Sequence, residues 1–290
     1  MSCVACGADL DAPGAASIWK DGLELRRCGS CGLLARRTLP TERELADLYS
    51  SDYFQDDAGV TGGYADYLAD EPLHRELARR RLSRLPTPRD GARLLDVGAA
   101  AGFFVSEAQE RGWEAQGVDI SPAMVDHATR ALGVPVMLGQ LADVRGGTFD
   151  AITMWDYIEH SVDPAADLTR SAALLQPGGV IALSTGDIDS IVARLAGKRW
   201  HLLTPRHHNF FFSEATLRLM LERSGFDVVA VSHAGARYSL SHLVYKLGRH
   251  APSRLSTQIA RRAAQSRVGR ASIPVNLRDI VSAVAVRRAP

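Results

Sequence analysis

The stretch Leu94-Leu95-Asp96-Val97-Gly98-Ala99-Ala100-Ala101-Gly102-Phe103-Phe104 constrains the fold more than any other. An apolar strand runs into a turn of small residues and then directly into a helix. Backbone N–H groups and a helix N-terminus can therefore approach a ligand with no side chain in the way. Twenty-three residues after Asp96, the segment Gly117-Val118-Asp119-Ile120 closes a second short strand on a carboxylate, where the hydroxyls of a ribose would find an acceptor.

The rest of this region alternates strand and helix. Apolar runs and turn residues predict strands at 93–97, 114–119, 134–138, 149–154 and 180–185, separated by helices at 103–111, 122–132 and 164–175. Ser121-Pro122 and Asp163-Pro164 are cap and first-turn signals. Ser213-Glu214 opens a further helix to Ser224, Phe226–Val231 reads as the sixth strand, and the seventh is expected at 280–287. Strands separated by helices imply a parallel sheet with right-handed crossovers.

LLDVGAAAGFF, GVDIS, FDAITMWDYIEHSVDP and LLQPGGVIALST, in this order over Arg93 to Ser232, resemble the class I S-adenosylmethionine-dependent methyltransferases. Ala100 stands where the family usually has the middle glycine of the turn. A nicotinamide-dependent dehydrogenase would instead want Gly-x-Gly-x-x-Gly, and the positions here are Gly98, Ala100 and Phe103. The resemblance implies an α/β fold, a doubly wound seven-stranded, mostly parallel Rossmann-like sheet, and S-adenosylmethionine as cofactor. By the same resemblance Asp96, Gly98 and Ala99 belong to the methionyl end, Gly102 to the cofactor-binding turn, Asp119 to the ribose, Ile120 to one face of adenine, and Gln140 and Leu141 to the adenine edge. Trp155 and Asp156 should line the crevice near the substrate. The segment 156–164 looks like that of small-molecule O-methyltransferases of the ubiquinone-biosynthesis type, in some of which a histidine near this position takes the proton of the attacking hydroxyl. His160 is the corresponding residue here, and an imidazole suits that task. The alternative is that His160 orients its loop or caps the next helix. His208, with His207 beside it, is the second candidate base.

All four cysteines lie in the first 31 residues, as Cys3-x-x-Cys6-Gly7 and Cys28-x-x-Cys31-Gly32. Such spacing lets both thiolates of each pair face one tetrahedral ion, which predicts a structural Zn2+ in a small N-terminal ribbon. Disulfides are the alternative. Asp21-Gly22 between the pairs makes a hairpin turn. Thr41 and Glu44 form a capping box at the start of a helix. The aromatic and glycine-rich stretch from Tyr49 to Tyr67 suggests a lid over the cofactor or a packed domain junction. An arginine-rich helix from Glu71 to Leu85 then leads to the boundary Pro86-Thr87-Pro88. The division expected is 1–40 ribbon, 41–90 helical linker or lid, 91–235 cofactor-binding core, 236–278 basic helical insertion, and 279–290 final strand.

From Ala236 onward there are ten arginines and Lys246 against the single acid Asp279, on a chain whose net charge is only +1. This tail suits a phosphate-bearing substrate or peripheral contact with an anionic membrane, or is simply a solvated face. Leu240, Leu243, Val244 and Leu247 fall at helical spacing within it. No run is apolar enough to span a membrane and no signal peptide is visible, so a cytoplasmic enzyme is expected. The leading functional reading is O-methylation of a sugar, lipid-linked or secondary-metabolite hydroxyl. Second comes an RNA methyltransferase that uses ribbon and tail for nucleic acid. Third is a non-catalytic cofactor-binding partner protein.

Overall fold

The structure is a computed structural model of the 290-residue chain. It describes residues 1–12, 16–41, 44–45, 67–233, 236–239 and 272–289.

At the N-terminus, β1 (Ser17–Lys20) and β2 (Leu23–Arg27) pair antiparallel. Their turn is Asp21-Gly22, with φ of 52° and 79°, the left-handed pair that a tight hairpin demands. β3 (Leu34–Arg36) adds to β2. The capping box closes as expected, Thr41 N–H donating to Glu44 Oε2 at 2.7 Å, while most of the helix it opens lies outside the described residues.

α1 (Glu71–Leu82) stops three residues short of the expected Leu85. Then follow β4 (Arg93–Val97), α2 (Phe103–Glu110), β5 (Glu114–Asp119) and α3 (Pro122–Asp126), the last running on as a π-helical turn over His127–Ala131. β6 (Val136–Leu138) and β7 (Phe149–Trp155) come next, then α4 (Pro164–Leu174), whose N-cap Asp163 accepts the Ala166 N–H at 3.0 Å. β8 (Leu175–Gly186) begins where a helix end was expected. Its register against β7 jumps from Phe149↔Leu175 to Ala151↔Val180, so Pro177-Gly178-Gly179 loops out of the ladder. α5 (Ile191–Ala196), β9 (Phe210–Phe211), α6 (Glu214–Arg223) and β10 (Phe226–His233) follow. Two short strands, β11 (Ala236–Ser239) and β12 (Ser272–Val275), precede β13 (Ile280–Arg287).

The main sheet has seven strands in the order β10, β13, β8, β7, β4, β5, β6. Strands β4 to β8 run parallel, and β13 is antiparallel to both of its neighbours. The doubly wound, mostly parallel sheet is thus as expected. Leu94, Leu95, Ala151 and Ile152 are fully buried, the pattern of central strands covered on both faces.

One expectation changes. The insertion was expected to be helical, but its two ends are the strands β11 and β12, paired antiparallel with each other. Leu240, Leu243, Val244 and Leu247 lie outside the described residues. The ribbon packs against the main sheet and borrows a strand from the chain after it. β3 pairs with β9, Leu34 opposite Phe211 and Ala35 opposite Phe210, giving a four-stranded sheet of order β1, β2, β3, β9. Cys3, Leu10, Leu33 and Ala35 share one core with Leu95, Ile152 and Leu183. A ribbon too small to bury a core of its own gains one from its neighbour.

Candidate functional site

The carboxyl ends of β4, β5 and β7 meet around the turn 98–102. Val118 O accepts from both Gly98 N–H at 2.9 Å and Ala99 N–H at 3.1 Å, folding the turn back onto β5. Gly117 makes that approach possible, because a Cβ there would sit 2.5 Å from the Ala99 methyl. Gly98 has φ of +75°, and a Cβ on it would press within 2.9 Å of the Tyr157 ring. The turn therefore presents backbone on one side and is braced by an aromatic ring on the other. Ala100 also lies in the left-handed region, at φ 45°, where a methyl side chain costs roughly 1–2 kcal/mol.

Asp119 holds this conformation. Its Oδ2 accepts Ala100 N–H at 2.8 Å and its Oδ1 accepts Ser121 N–H at 2.8 Å. Burial raises its pKa, and these backbone donors act against the rise. Asp96 is buried one strand away, accepts Thr153 Oγ1–H at 2.6 Å, and is pushed up to about 7 by desolvation. Ile120 is 37% exposed beside the turn, an apolar face available to a flat ring. Gln140 is exposed and donates its N–H to Asp143 at 2.9 Å. The Leu141 side chain is fully buried in the core, so that residue can offer a ligand only its main chain. Tyr67 stacks on His74 at 4.1 Å and on Phe103 at 5.9 Å, next to Ala100 and Ala101; the rest of the expected lid lies outside the described residues.

Trp155 ends β7 beside Phe104, ring centres 5.6 Å apart, and under the Arg81 guanidinium, 4.9 Å from its ring centre. The buried Trp155 Nε1 has no hydrogen-bond partner among the described residues. Asp156, at φ 53°, is held by Arg81 and by Ser184 Oγ–H at 2.8 Å. Burial works against its ionisation, yet Arg81 and Ser184 outweigh that and keep its pKa low. Arg81 and Ser184 were not singled out in the sequence. The arginine-rich composition of α1 was visible, but not which arginine points inward.

The turn after Asp156 carries Glu159 and His160. His160 Nδ1 lies 2.9 Å from His207 O, and His208 Nδ1 lies 2.9 Å from Leu202 O. A carbonyl only accepts, so each Nδ1 carries the proton and each Nε2 a lone pair. The two rings meet edge to face with centres 4.7 Å apart. Desolvation lowers His160 to about 4 and takes His208 well below its ordinary value. Glu159, 5% exposed, is raised to about 8 by burial and by the neighbouring Asp156 charge. At neutral pH the cluster is thus two neutral imidazoles and a protonated carboxyl. Donor atoms of Glu159, His160 and His208 lie within 4.8 Å of one another, a set that can pass a proton or accept a cation. The helix cap is Asp163, so His160 does not have that task. Around this cluster Trp200, His207 and Phe210 to Phe212 are buried, and Trp200 Nε1–H donates to Asp279 at 3.0 Å.

At the far end of the ribbon, Cys3 Sγ lies 3.6 Å from Cys31 Sγ and Cys6 Sγ 3.5 Å from Cys28 Sγ. Four sulfurs about 2.3 Å from one zinc would be separated by about 3.8 Å, so the group fits a tetrahedral ion, and none is in a disulfide. Cys28 is lowered to about 7: burial opposes ionisation, and the N–H groups of Cys31 and Ser30 with the Cys6 thiol prevail.

Comparison with known proteins bears on the family and the fold. The family described as "Methyltransferase domain" matches residues 69–231. The ubiquinone biosynthesis O-methyltransferase of Xanthomonas axonopodis pv. citri is 31% identical over 161 residues, 49% of this chain and 65% of the relative, so the match spans just under two thirds of that protein. That of Xanthomonas euvesicatoria pv. vesicatoria is 31% identical over 183 residues, 56% of this chain and 74% of the relative. Among solved structures, the magnesium protoporphyrin IX methyltransferase of Synechocystis PCC 6803 with bound SAH superimposes with a TM-score of 0.53 at 18% identity, covering 85% of this chain and 100% of that one. A methyltransferase complex with the Trm112 activator of Haloferax volcanii gives 0.54 at 18% identity, over 77% and 93%. At these identities the two structures speak to the fold alone.

Proposed function

Because the chain belongs to the class I S-adenosylmethionine-dependent methyltransferase family, we propose that it methylates a hydroxyl of a small molecule. The observation that carries this reading is the backbone-lined turn 98–102, braced by Asp119 and packed at Gly98 against Tyr157, three residues before His160. S-adenosylmethionine supplies a methyl carbon on a sulfonium, open to in-line attack.

Asp96, Gly98, Ala99 and Gly102 hold the methionyl end, with Trp155 along the crevice. Asp119 accepts from the ribose, Ile120 covers adenine, and the main chain at Gln140 and Leu141 meets its edge. His160 Nε2 takes the hydroxyl proton. Its low pKa keeps Nε2 unprotonated at neutral pH, and the Asp156 carboxylate favours the imidazolium once formed. General-base assistance of this kind contributes about 10²–10⁴ in rate, and alignment of the reacting atoms can supply roughly 7–11 kcal/mol more. Cys3, Cys6, Cys28 and Cys31 hold a structural Zn2+ with no open position for catalysis.

The test is calorimetric titration with S-adenosylhomocysteine, followed by radiolabelled methyl transfer to a panel of phenol, catechol and sugar hydroxyls. Absence of binding by the metal-replete chain would refute the reading. Binding with transfer only to RNA would replace the acceptor class.

A further inference from the structure

The ribbon and the His160 turn are joined through one side chain. Asn209 is 1% exposed and sits between them. Toward the site, its N–H donates to Glu159 O at 2.7 Å, and its Nδ2 donates to His160 O at 2.9 Å and Ser161 O at 3.2 Å. Toward the ribbon, its main-chain O accepts Arg36 N–H at 2.8 Å and its Oδ1 accepts Arg36 Nη1–H at 3.3 Å. Every polar group of the residue is thus engaged, donors facing the turn and acceptors facing β3. A carboxylate in the same shape has no donor for the two carbonyls, and a hydroxyl has too few groups, so only an amide serves both sides.

The chain of bonds continues to the cysteines. Cys28 N–H donates to Leu33 O at 2.8 Å, and Leu33 leads directly into β3, whose Arg36 meets Asn209. The neighbouring residues tighten the same joint: Phe210 N–H also reaches Glu159 O at 3.2 Å, and His160 Nδ1–H is anchored on His207 O, two residues before Asn209. The cofactor turn makes its hydrogen bonds elsewhere, to Val118 O and Asp119, and meets the His160 turn through the Tyr157 ring packed against Gly98, Tyr157 O also accepting His160 N–H at 2.9 Å.

We propose that Asn209 is the positioning residue through which the four-cysteine ribbon sets the Glu159-His160-Ser161 turn, so that metal on the ribbon governs where the His160 ring stands without governing the cofactor turn. The ribbon is then a wall of the acceptor side of the site. The kinetic part of this inference rests on the methyltransferase reading; the structural part does not.

The experiment uses the full zinc-loaded chain and compares wild type, wild type after removal of the metal with a chelator, and Asn209→Asp. Amide hydrogen exchange is followed at Arg36, His160, Asn209 and Phe210, with Leu94, Ala99 and Ala100 as the reference set. Chelation and Asn209→Asp should each speed exchange at the first set by about tenfold or more and leave the reference set within about twofold. Re-adding Zn2+ alone should restore the chelated wild type but not Asn209→Asp. In turnover, Asn209→Asp should lower kcat by about tenfold or more with the cofactor KM within about twofold, a split that general loss of structure would not give.

Unchanged exchange at His160 after the cysteine knuckles have opened would overturn the proposal, as would equal acceleration in the reference set. If Asn209→Asp does not fold, the chelation and re-addition arms on wild type decide the question. Failure of the wild type to bind S-adenosylhomocysteine would remove the methyltransferase reading and leave the exchange result to stand or fall by itself.

Discussion

Replacing Asp119 by asparagine isolates how the cofactor turn is held. The carboxylate accepts Ala100 N–H and Ser121 N–H, each at 2.8 Å, from a largely buried position. An asparagine can keep one of these bonds through its amide oxygen and must turn an NH2 group toward the other donor. The loss is then one bond to a charged acceptor, about 1.5–3 kcal/mol, and a donor left without a partner, about 1–3 kcal/mol. Partial relaxation of the turn brings the expected destabilisation to about 2–4 kcal/mol, because Ala100 at φ 45° is free to leave its strained conformation once released. Since the native turn is then only partly populated, affinity for S-adenosylhomocysteine should fall about 10–100-fold beyond any direct ribose contact. Urea unfolding and calorimetry read the two effects. Adding Ala100→Gly to the Asp119→Asn protein should recover about 1 kcal/mol, because glycine adopts positive φ without steric cost. An Asp119→Asn protein with unchanged unfolding midpoint would refute the bracing argument, even if ribose binding suffered.

If Asp96 holds the methionyl end as proposed, cofactor binding should depend on pH. Burial raises its pKa to about 7, so its stability contribution is fully present below about pH 4 and is lost as pH rises to 7, where the folded carboxyl ionises too. A cationic methionyl group needs the carboxylate, so affinity should drop about tenfold per pH unit below 7 with proton release, and Asp96→Asn should abolish that slope in calorimetry across buffers. The ribbon should hold one zinc per chain on Cys3, Cys6, Cys28 and Cys31; elemental analysis finding none after reducing purification would exclude the closed four-cysteine site. His160→Ala should lower kcat by roughly 10²–10⁴ while S-adenosylhomocysteine affinity stays near wild type, and near-normal turnover would move the base role to His208.

The sequence by itself determined what short-range chemistry dictates. The small-residue turn after Val97, the carboxylate ending β5, the proline-started helices, the Asp21-Gly22 hairpin and the two cysteine knuckles each depend on residues a few positions apart, and each formed where the pattern put it. The strands at the two described ends of the insertion were not legible, because they pair with each other across more than thirty residues and no short-range pattern marks them. Tertiary structure alone decided the rest. Arg81 reaches Asp156 across 75 positions, and Asn209 reaches the His160 carbonyl across 49. β13 enters between β8 and β10, and β9 leaves the sheet region to complete the ribbon. None of these partners shares a helical face or a turn in the chain. Their pairing follows from which buried donors and acceptors remain to be satisfied once the sheet has closed, and a linear pattern does not contain that accounting.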